Sequence, residues 1–197
     1  MPWKNDQVSE AETERIIDLA KKCLEVNGDF VELGCYKGDT SLLLEDVLRD
    51  SGKKLWIYDS FEGLPEKGVE DESELGRDFQ KGVLGVTKRE VKERFLRAGL
   101  PVPVIKKAWF SELKDDDLPK EIVFAFLDGD LYESIKDSLR LVGDRVVPGG
   151  VILVHDYNNP ALPGVARAVD EWMRGRTWVK QEGVTESLVV IRKCEKN

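Results

Sequence analysis

Cysteine and histidine are scarce in this sequence of 197 residues, which has three cysteines and a single histidine. Cys23, Cys35 and Cys194 are far apart and show neither the paired C-x-x-C spacing of a zinc site nor the density of a secreted disulfide framework. A cysteine-based metal site and a disulfide scaffold are therefore excluded. We interpret the three cysteines as free thiols.

Long apolar runs and an excess of positive charge are also missing. No stretch approaches the roughly 20 apolar residues that cross a bilayer, and residues 1–6 lack the apolar core of a signal peptide. The net charge is −8, whereas affinity for nucleic acid comes largely from Lys and Arg that displace counterions from phosphates. The sequence thus predicts a soluble, cytoplasmic protein that binds neither nucleic acids nor membranes.

Apolar residues make up 41% of the chain, which is enough for one sizeable core, and the length is typical of one domain. We therefore predict a single domain over residues 1–197. Apolar runs alternate along the chain with amphipathic, capped segments. The predicted strands are residues 29–33, 54–58, 102–107, 121–127 and 151–154, and the predicted helices are residues 9–24, a run carrying 42–48, 87–98, 133–142 and 165–173.

Strands that alternate with helices predict a mostly parallel sheet with helices on both faces. Residues 148–150 (PGG) are expected to form a turn that introduces the strand 151–154. The last two apolar runs, 177–181 and 187–191, are separated by a short connection that suits an antiparallel hairpin. The prediction is an α/β fold with seven strands.

Residues 66–86 interrupt this alternation. The segment is polar, carries four glycines and follows the run DSFEGLP at residues 59–65. A long irregular segment inside a compact domain is typical of a functional loop. We predict a mobile insertion or lid rather than a linker between domains.

A glycine loop and an acid follow the first two predicted strands, where an open parallel sheet binds its ligands. Residues 32–38 have the spacing E-x-G-x-x-x-G, which differs from the G-x-G-x-x-G that seats a pyrophosphate. Asp59 lies roughly 20 residues further on, where a carboxylate can accept hydrogen bonds from ribose hydroxyls. The pair indicates a nucleoside ligand. A purely structural β–α turn, and an ordinary turn or cap at Asp59 and Ser60, stay open as alternatives.

Acidic residues and the lone histidine follow two later strands. Asp128 comes directly after the strand 121–127, and His155 with Asp156 comes after the strand 151–154. If these strands are neighbours, the three side chains converge at one rim of the sheet and suit a divalent cation. The alternative is that Asp128 and Asp130 cap the next helix while His155 hydrogen-bonds a loop carbonyl.

Four stretches together resemble the macrocin O-methyltransferase family, whose members methylate sugar hydroxyls on antibiotics and related molecules. They are residues 59–65 (DSFEGLP), 127–134 (LDGDLYES), 148–150 (PGG) with 155–157 (HDY), and 166–171 (ARAVDE). The similarity runs from about residue 30 to residue 191.

The resemblance implies a doubly wound, Rossmann-like methyltransferase fold that binds S-adenosylmethionine at the first two strand ends and a magnesium-type metal between acidic side chains. Carried over by position, the cofactor-binding residues are Glu32, Gly34, Tyr36, Gly38 and Thr40 at the methionine portion, Asp59 and Ser60 at the ribose, and Ala108, Trp109 and Phe110 at the adenine. The metal residues are Asp128, His155 and Asp156. His155 stands where the family has a third aspartate, so manganese or another transition metal is an alternative to magnesium.

The expected reaction is in-line attack of an acceptor hydroxyl on the sulfonium methyl group, with Asp128 or His155 as the catalytic base. The acceptor is expected to be a small hydroxylated molecule, and the sequence leaves a homo-oligomer open. Two other functions stay open. A nicotinamide-dependent oxidoreductase also needs a glycine loop and a ribose acid, and a non-catalytic cofactor-binding protein could keep the fold without the metal chemistry.

Overall fold

A computed structural model describes residues 7–194. The strands are β1 (Asp29–Leu33), β2 (Leu55–Asp59), β3 (Val104–Lys107), β4 (Ile122–Leu127), β5 (Val146–Val154), β6 (Val179–Thr185) and β7 (Leu188–Lys193). The helices are α1 (Glu10–Lys22), α2 (Asp39–Leu48), α3 (Lys88–Arg97), α4 (Tyr132–Val142) and α5 (Pro163–Met173). Short 3-10 helices occupy Cys23–Glu25, Val69–Asp71, Phe110–Glu112 and Asp115–Asp117.

All seven strands belong to one sheet with the order β3-β2-β1-β4-β5-β7-β6. The strands from β1 to β5 pair in parallel, and β7 pairs antiparallel with both β5 and β6. The predicted mostly parallel sheet with a terminal antiparallel hairpin is confirmed. The order reverses between β1 and β4, and this is the point at which open α/β sheets bind ligands.

Alternate side chains of the central strands pack on opposite faces of the sheet, as the two-residue period of a strand requires. Phe30 and Phe124 stack with ring centroids 4.8 Å apart in the core that also holds Phe95 of α3. Val31 and Leu33 belong to the second core. Helices α1, α2 and α3 contribute to the first core, and α4 and α5 to the second. The sheet is therefore doubly wound.

Two helices begin with the same capping box. In α1, Ser9 and Glu12 exchange backbone-to-side-chain hydrogen bonds, and in α3 Thr87 and Glu90 do the same. Each box satisfies two backbone N–H groups that the first turn of a helix leaves without partners. The sequence pattern S/T-x-x-E thus fixes where both helices start.

The prediction of a turn at residues 148–150 is wrong, because β5 continues through them. Ile122 of β4 pairs with Val146 and Phe124 pairs with Val151, so the extra residues of β5 form a bulge inside the ladder. Gly149 has φ +82°, which a glycine adopts without strain. The proline and glycines bend the strand instead of ending it.

The hairpin strands were predicted too early in the chain. β6 covers Val179–Thr185 instead of 177–181, and the turn that joins it to β7 is the pair Glu186 and Ser187. Glu186 has φ 52°, as tight two-residue hairpin turns require. The polar residues of β6 hid the strand, because residues 180–184 are all exposed and show no alternation of buried and exposed positions.

Residues 66–86 consist mainly of turns, and these turns pack against the rest of the domain. Asp71 is buried, and its Oδ1 accepts a hydrogen bond of 2.8 Å from the backbone N–H of Tyr132. Ser73 donates from its hydroxyl to the carbonyl of Pro160. No helix within residues 7–194 combines the length and apolar character needed to cross a membrane.

Candidate active site

The carboxyl ends of the parallel strands open into one cavity of about 540 Å³, a size that suits a small-molecule ligand. Ten of the thirteen site residues predicted from the sequence line it. They are Gly34, Tyr36, Asp59, Ser60, Ala108, Trp109 and Phe110 from the predicted cofactor set, and Asp128, His155 and Asp156 from the predicted metal set. The structure thus brings both predicted sets to the same space.

The loop after β1 lies against the end of β4. A side chain at Gly34, which has φ +90°, would place its Cβ 1.9 Å from the carbonyl oxygen of Asp128. Only glycine fits there, and the close contact fixes the loop beside the acidic residues. Tyr36 follows with φ 44°, a conformation that non-glycine residues rarely adopt.

The Asp59 carboxylate holds this loop to the end of β2. Its Oδ2 accepts hydrogen bonds from the backbone N–H groups of Cys35 at 2.9 Å and Tyr36 at 3.3 Å. Its Oδ1 accepts one from Phe61 at 2.7 Å, which closes a turn. Asp59 therefore has the structural role that the sequence left open, while it also faces the cavity. A carboxylate has about four acceptor positions, so capacity for a ligand hydroxyl remains.

Glu32, Gly38 and Thr40 are not in the cavity wall. Glu32 lies within β1 and is buried, and its Oε2 has no hydrogen-bond partner among the described residues. Burial raises the pKa of Glu32 to about 8, and the carboxylates of Asp128 and Asp59 add to the shift. Gly38 is the N-cap of α2 with φ +81°, and Thr40 is buried in the first turn of that helix. Glu32 thus precedes the loop in β1, and Gly38 and Thr40 follow it at the start of α2.

The second predicted set forms a compact cluster because β4 and β5 are parallel neighbours. Leu127 pairs with Val154, so the residues that follow these strands, Asp128 and His155, lie side by side. His155 Nδ1 is 3.3 Å from Asp128 Oδ1 and 3.1 Å from Asp156 Oδ2. The predicted convergence at the sheet rim is confirmed.

Glu12 of α1 approaches the same imidazole ring from the opposite side. Its Oε2 lies 3.4 Å from His155 Nε2, and both residues are buried, with 3% and 6% of their surfaces exposed. Burial alone would lower the pKa of His155, but the carboxylates of Asp128, Asp156 and Glu12 outweigh it and raise that pKa well above its usual range. The sequence identified Glu12 only as part of a capping box, and no local signal links it to His155.

The donors fit a divalent cation. Asp128, His155 and Asp156 each offer one ligand atom, and these atoms lie within 4.8 Å of one another. This is the one such group of acidic, histidine and cysteine side chains within residues 7–194. Two carboxylate oxygens and one imidazole nitrogen suit manganese and other first-row metals as well as magnesium.

Further residues of the cavity wall were missed from the sequence as site residues. Asp130 has φ 60°, and burial raises its pKa well above the usual range, with the charges of Asp128 and Asp156 adding to the shift. The run DGD at residues 128–130 is the sequence signal that could have singled it out. Gln7, Leu64, Pro65, Phe79, Leu84, Glu133, Ser134, Asp137 and Asn159 also line the cavity.

The strand order and the cavity at the switch point define a Rossmann-like methyltransferase fold. The O-methyltransferase from Bacillus cereus in complex with SAH superposes with a TM-score of 0.67 at 14% identity, over 98% of this chain and 84% of that chain. The O-methyltransferase NovP superposes with a TM-score of 0.78 at 26% identity, over 97% of this chain and 84% of that chain. The model of the macrocin-O-methyltransferase (TylF) family matches residues 12–191, and the chain belongs to this family.

Two curated relatives are O-methyltransferases of Streptomyces. The chain is 33% identical over 174 residues to the 8-demethyl-8-(2,3-dimethoxy-alpha-L-rhamnosyl)-tetracenomycin-C 4'-O-methyltransferase of Streptomyces olivaceus, covering 81% of this chain and 65% of the relative. It is 30% identical over 170 residues to the demethyldecarbamoylnovobiocin O-methyltransferase of Streptomyces niveus, covering 79% of this chain and 64% of the relative. The matched region is thus slightly less than two thirds of either relative.

Proposed function

We propose that this protein is an S-adenosylmethionine-dependent O-methyltransferase that methylates a hydroxyl of a sugar or another small polyhydroxylated molecule, assisted by a divalent metal. The observation that carries the proposal is the single cavity that contains both the glycine loop with Asp59 and the cluster of Asp128, His155 and Asp156. A methyl donor and an acceptor must meet in one water-poor space for direct transfer. Family membership and the two curated relatives support this reading.

The cofactor half of the cavity is proposed to hold the nucleoside. Asp59 and Ser60 lie at the end of β2, where they can accept and donate hydrogen bonds to the ribose. Ala108, Trp109 and Phe110, after β3, offer apolar surface to the adenine. The fixed loop around Gly34 and Tyr36 would carry the methionine portion toward Asp128.

The acidic half is proposed to bind the acceptor and take its proton. Asp128, His155 and Asp156 would hold a cation, which supplies Lewis acidity that lowers the pKa of a neighbouring hydroxyl. Of the two bases expected from the sequence, Asp128 is the one that this arrangement favours, because Nδ1 of His155 would be a ligand and its Nε2 faces Glu12; Asp130 lies in the same wall as a further carboxyl. Magnesium is the first candidate ion, with manganese or another transition metal as the alternative.

The segment 66–86 supplies part of the cavity wall. Phe79 and Leu84 line the cavity and would exclude water from the reacting atoms. Its role as a closing lid stays a prediction, as does a homo-oligomeric state. A cytoplasmic location without nucleic-acid or membrane partners rests on the composition and the net charge of −8.

The test combines calorimetry with a transfer assay. We expect S-adenosylhomocysteine to bind and NAD not to bind, and we expect transfer of the labelled methyl group from S-adenosylmethionine to a member of a panel of glycosides with neighbouring hydroxyls. Transfer should need a divalent cation and stop with a strong chelator. Binding of NAD in place of S-adenosylhomocysteine would favour an oxidoreductase. Cofactor binding without transfer to any glycoside or phenol would favour a non-catalytic protein.

A further inference from the structure

Glu12 is a buried carboxylate that the proposed chemistry does not use directly. It is 3% exposed and belongs to the first turn of α1, whereas the other acids follow the ends of strands. Its Oε2 accepts a hydrogen bond of 3.0 Å from the backbone N–H of Ser9, which is the ordinary bond of a capping box. A box formed for helix capping alone has no need of burial.

A second group fixes the same carboxylate from the other side. Glu12 Oε1 accepts hydrogen bonds from the backbone N–H of Ser187 at 2.9 Å and from its hydroxyl at 2.7 Å. Ser187 is in the turn between β6 and β7, and its carbonyl accepts a hydrogen bond from the N–H of Tyr157. The position of the carboxylate is therefore set by two elements distant in sequence, one of them bonded to the loop after β5.

His155 Nε2 has no hydrogen-bond partner among residues 7–194 and is buried. Glu12 Oε2 lies 3.4 Å from it, slightly beyond the usual range of a hydrogen bond. A shift of a few tenths of an ångström would make this a normal bond from Nε2–H to the carboxylate. The other ring nitrogen, Nδ1, points at Asp128 and Asp156.

We propose that Glu12 is a positioning residue of the metal site: it accepts the Nε2 proton of His155 and so turns the unprotonated Nδ1 toward the cation held with Asp128 and Asp156. This inference rests on the metal assistance in the proposed function. A histidine ligand needs its lone pair on the ligating nitrogen, and the bond made by the other nitrogen decides which tautomer is present. An aspartate in place of His155 would not need such a partner, so the pair of Glu12 and His155 acts as one unit.

The central variant is Glu12→Gln. Glutamine also serves as the third residue of a capping box and has nearly the same size, so helix α1 keeps its start. The matched control is Glu90→Gln, which makes the same change at the same position of the α3 box, where the side chains of Thr87 and Glu90 are exposed. Any effect shared by the two variants belongs to capping.

The first readout is metal affinity by calorimetry with manganese and zinc chlorides on the full chain. We expect the wild type and Glu90→Gln to bind both ions, and Glu12→Gln to bind them about 10- to 100-fold more weakly, as is typical for loss of an outer-sphere carboxylate. Affinity for S-adenosylhomocysteine should be the same in all three proteins. Equal metal affinity in the wild type and Glu12→Gln would overturn the inference.

The second readout is nitrogen NMR of the ring, which is unambiguous because the chain has a single histidine. With zinc bound to the wild type, we expect the proton on Nε2 and the metal on Nδ1; the opposite assignment would overturn the inference even if Glu12→Gln did not fold. A wild type that binds S-adenosylhomocysteine but neither ion would also overturn it and leave the cofactor assignment intact. Failure to bind S-adenosylhomocysteine would instead count against the proposed function.

Discussion

The cavity has two halves that differ in how their carboxylates are held. In the cofactor half, Asp59 accepts three hydrogen bonds from backbone N–H groups, so its charge is used to build the loops around it. In the acidic half, Asp128, Asp156 and Glu12 all face one imidazole ring, and Glu12 also accepts hydrogen bonds from the backbone N–H groups of Ser9 and Ser187. Carboxylates brought together in this way repel one another unless a positive charge lies among them, which the protonated ring of His155 or a bound cation supplies. Asp59 therefore holds the backbone around it in place, whereas the acids of the second half gather around one ring.

Among the variants, Asp128→Asn should show the largest difference between an effect on methyl transfer and an effect on cofactor binding. We expect methyl transfer to fall on the order of a thousandfold, because the variant removes a charged donor from the cation site. Affinity for S-adenosylhomocysteine should be retained, whereas the free energy of unfolding of the metal-free protein should decrease, since the His155 imidazolium loses one of its carboxylate partners. Transfer rates, calorimetry and denaturant unfolding test this. Asp116→Asn, at an exposed position, is the control. Full transfer by Asp128→Asn in the presence of a strong chelator would contradict the metal mechanism.

Glu32→Gln tests whether burial of an acid behind the cofactor loop costs stability as the pH rises. Because the pKa of Glu32 is raised to about 8 in the folded protein, the folded state holds its proton more tightly than the unfolded state. This contribution to stability is present in full below about pH 4.5, the pKa of the side chain in the unfolded chain. It is lost at roughly 1.4 kcal/mol per pH unit as the pH rises from there to about 8, the pKa of Glu32 in the folded protein.

We therefore expect the unfolding free energy of the wild type to fall between pH 5 and pH 8 more steeply than that of Glu32→Gln, in the absence of cofactor. Denaturant titrations of both proteins across this range provide the measurement. Glu121→Gln changes an exposed glutamate and should follow the wild type. Parallel profiles for the wild type and Glu32→Gln would show that Glu32 ionises normally.

Asp59→Ala should affect cofactor affinity and folding together. We expect binding of S-adenosylhomocysteine to weaken by about 1–3 kcal/mol and the unfolding free energy to drop by a similar amount, because three backbone N–H groups lose their acceptor. Asp29→Ala is a matched control. Asp29 also ties β1 to β2, through Lys54 and Trp56, but at the amino end of the strands. Its loss should lower stability and leave cofactor affinity unchanged. If Asp59→Ala lowered stability alone, Asp59 would be excluded from the ribose site.

His155→Asp should produce the smallest change, a shift in ion preference. Imidazole favours manganese and zinc relative to magnesium, and a third carboxylate restores an all-oxygen site. We expect the ratio of magnesium to manganese affinity to rise by about tenfold, measured by metal titration of transfer activity and by calorimetry. His155→Gln should lower turnover with every ion. If neither substitution altered ion preference, His155 would be a structural residue and the cation site would consist of Asp128 and Asp156.

Local patterns in the sequence were enough for most of the fold. Alternation of apolar strands with capped helices predicted the parallel sheet, and the residues just after the strands predicted the cavity wall at Gly34, Asp59 and Asp128. The errors lie where tertiary contacts override local signals. Residues 148–150 have the composition of a turn. They nevertheless stay in β5 as a bulge, because the residues before and after them, Val146 and Val151, both pair with β4. The polar β6 is a strand because β7 supplies its hydrogen bonds.

Two capping boxes show what the sequence determined and what it could not. Ser9 with Glu12 and Thr87 with Glu90 follow the same pattern, and in both cases the pattern fixed the start of a helix, because the bonds involved span only three residues. Glu90 remains exposed at the surface, whereas Glu12 is buried beside His155 and bonded to Ser187. That difference depends on contacts across 143 and 175 positions of the chain, which only the packing of α1 against the sheet and the hairpin turn brings together.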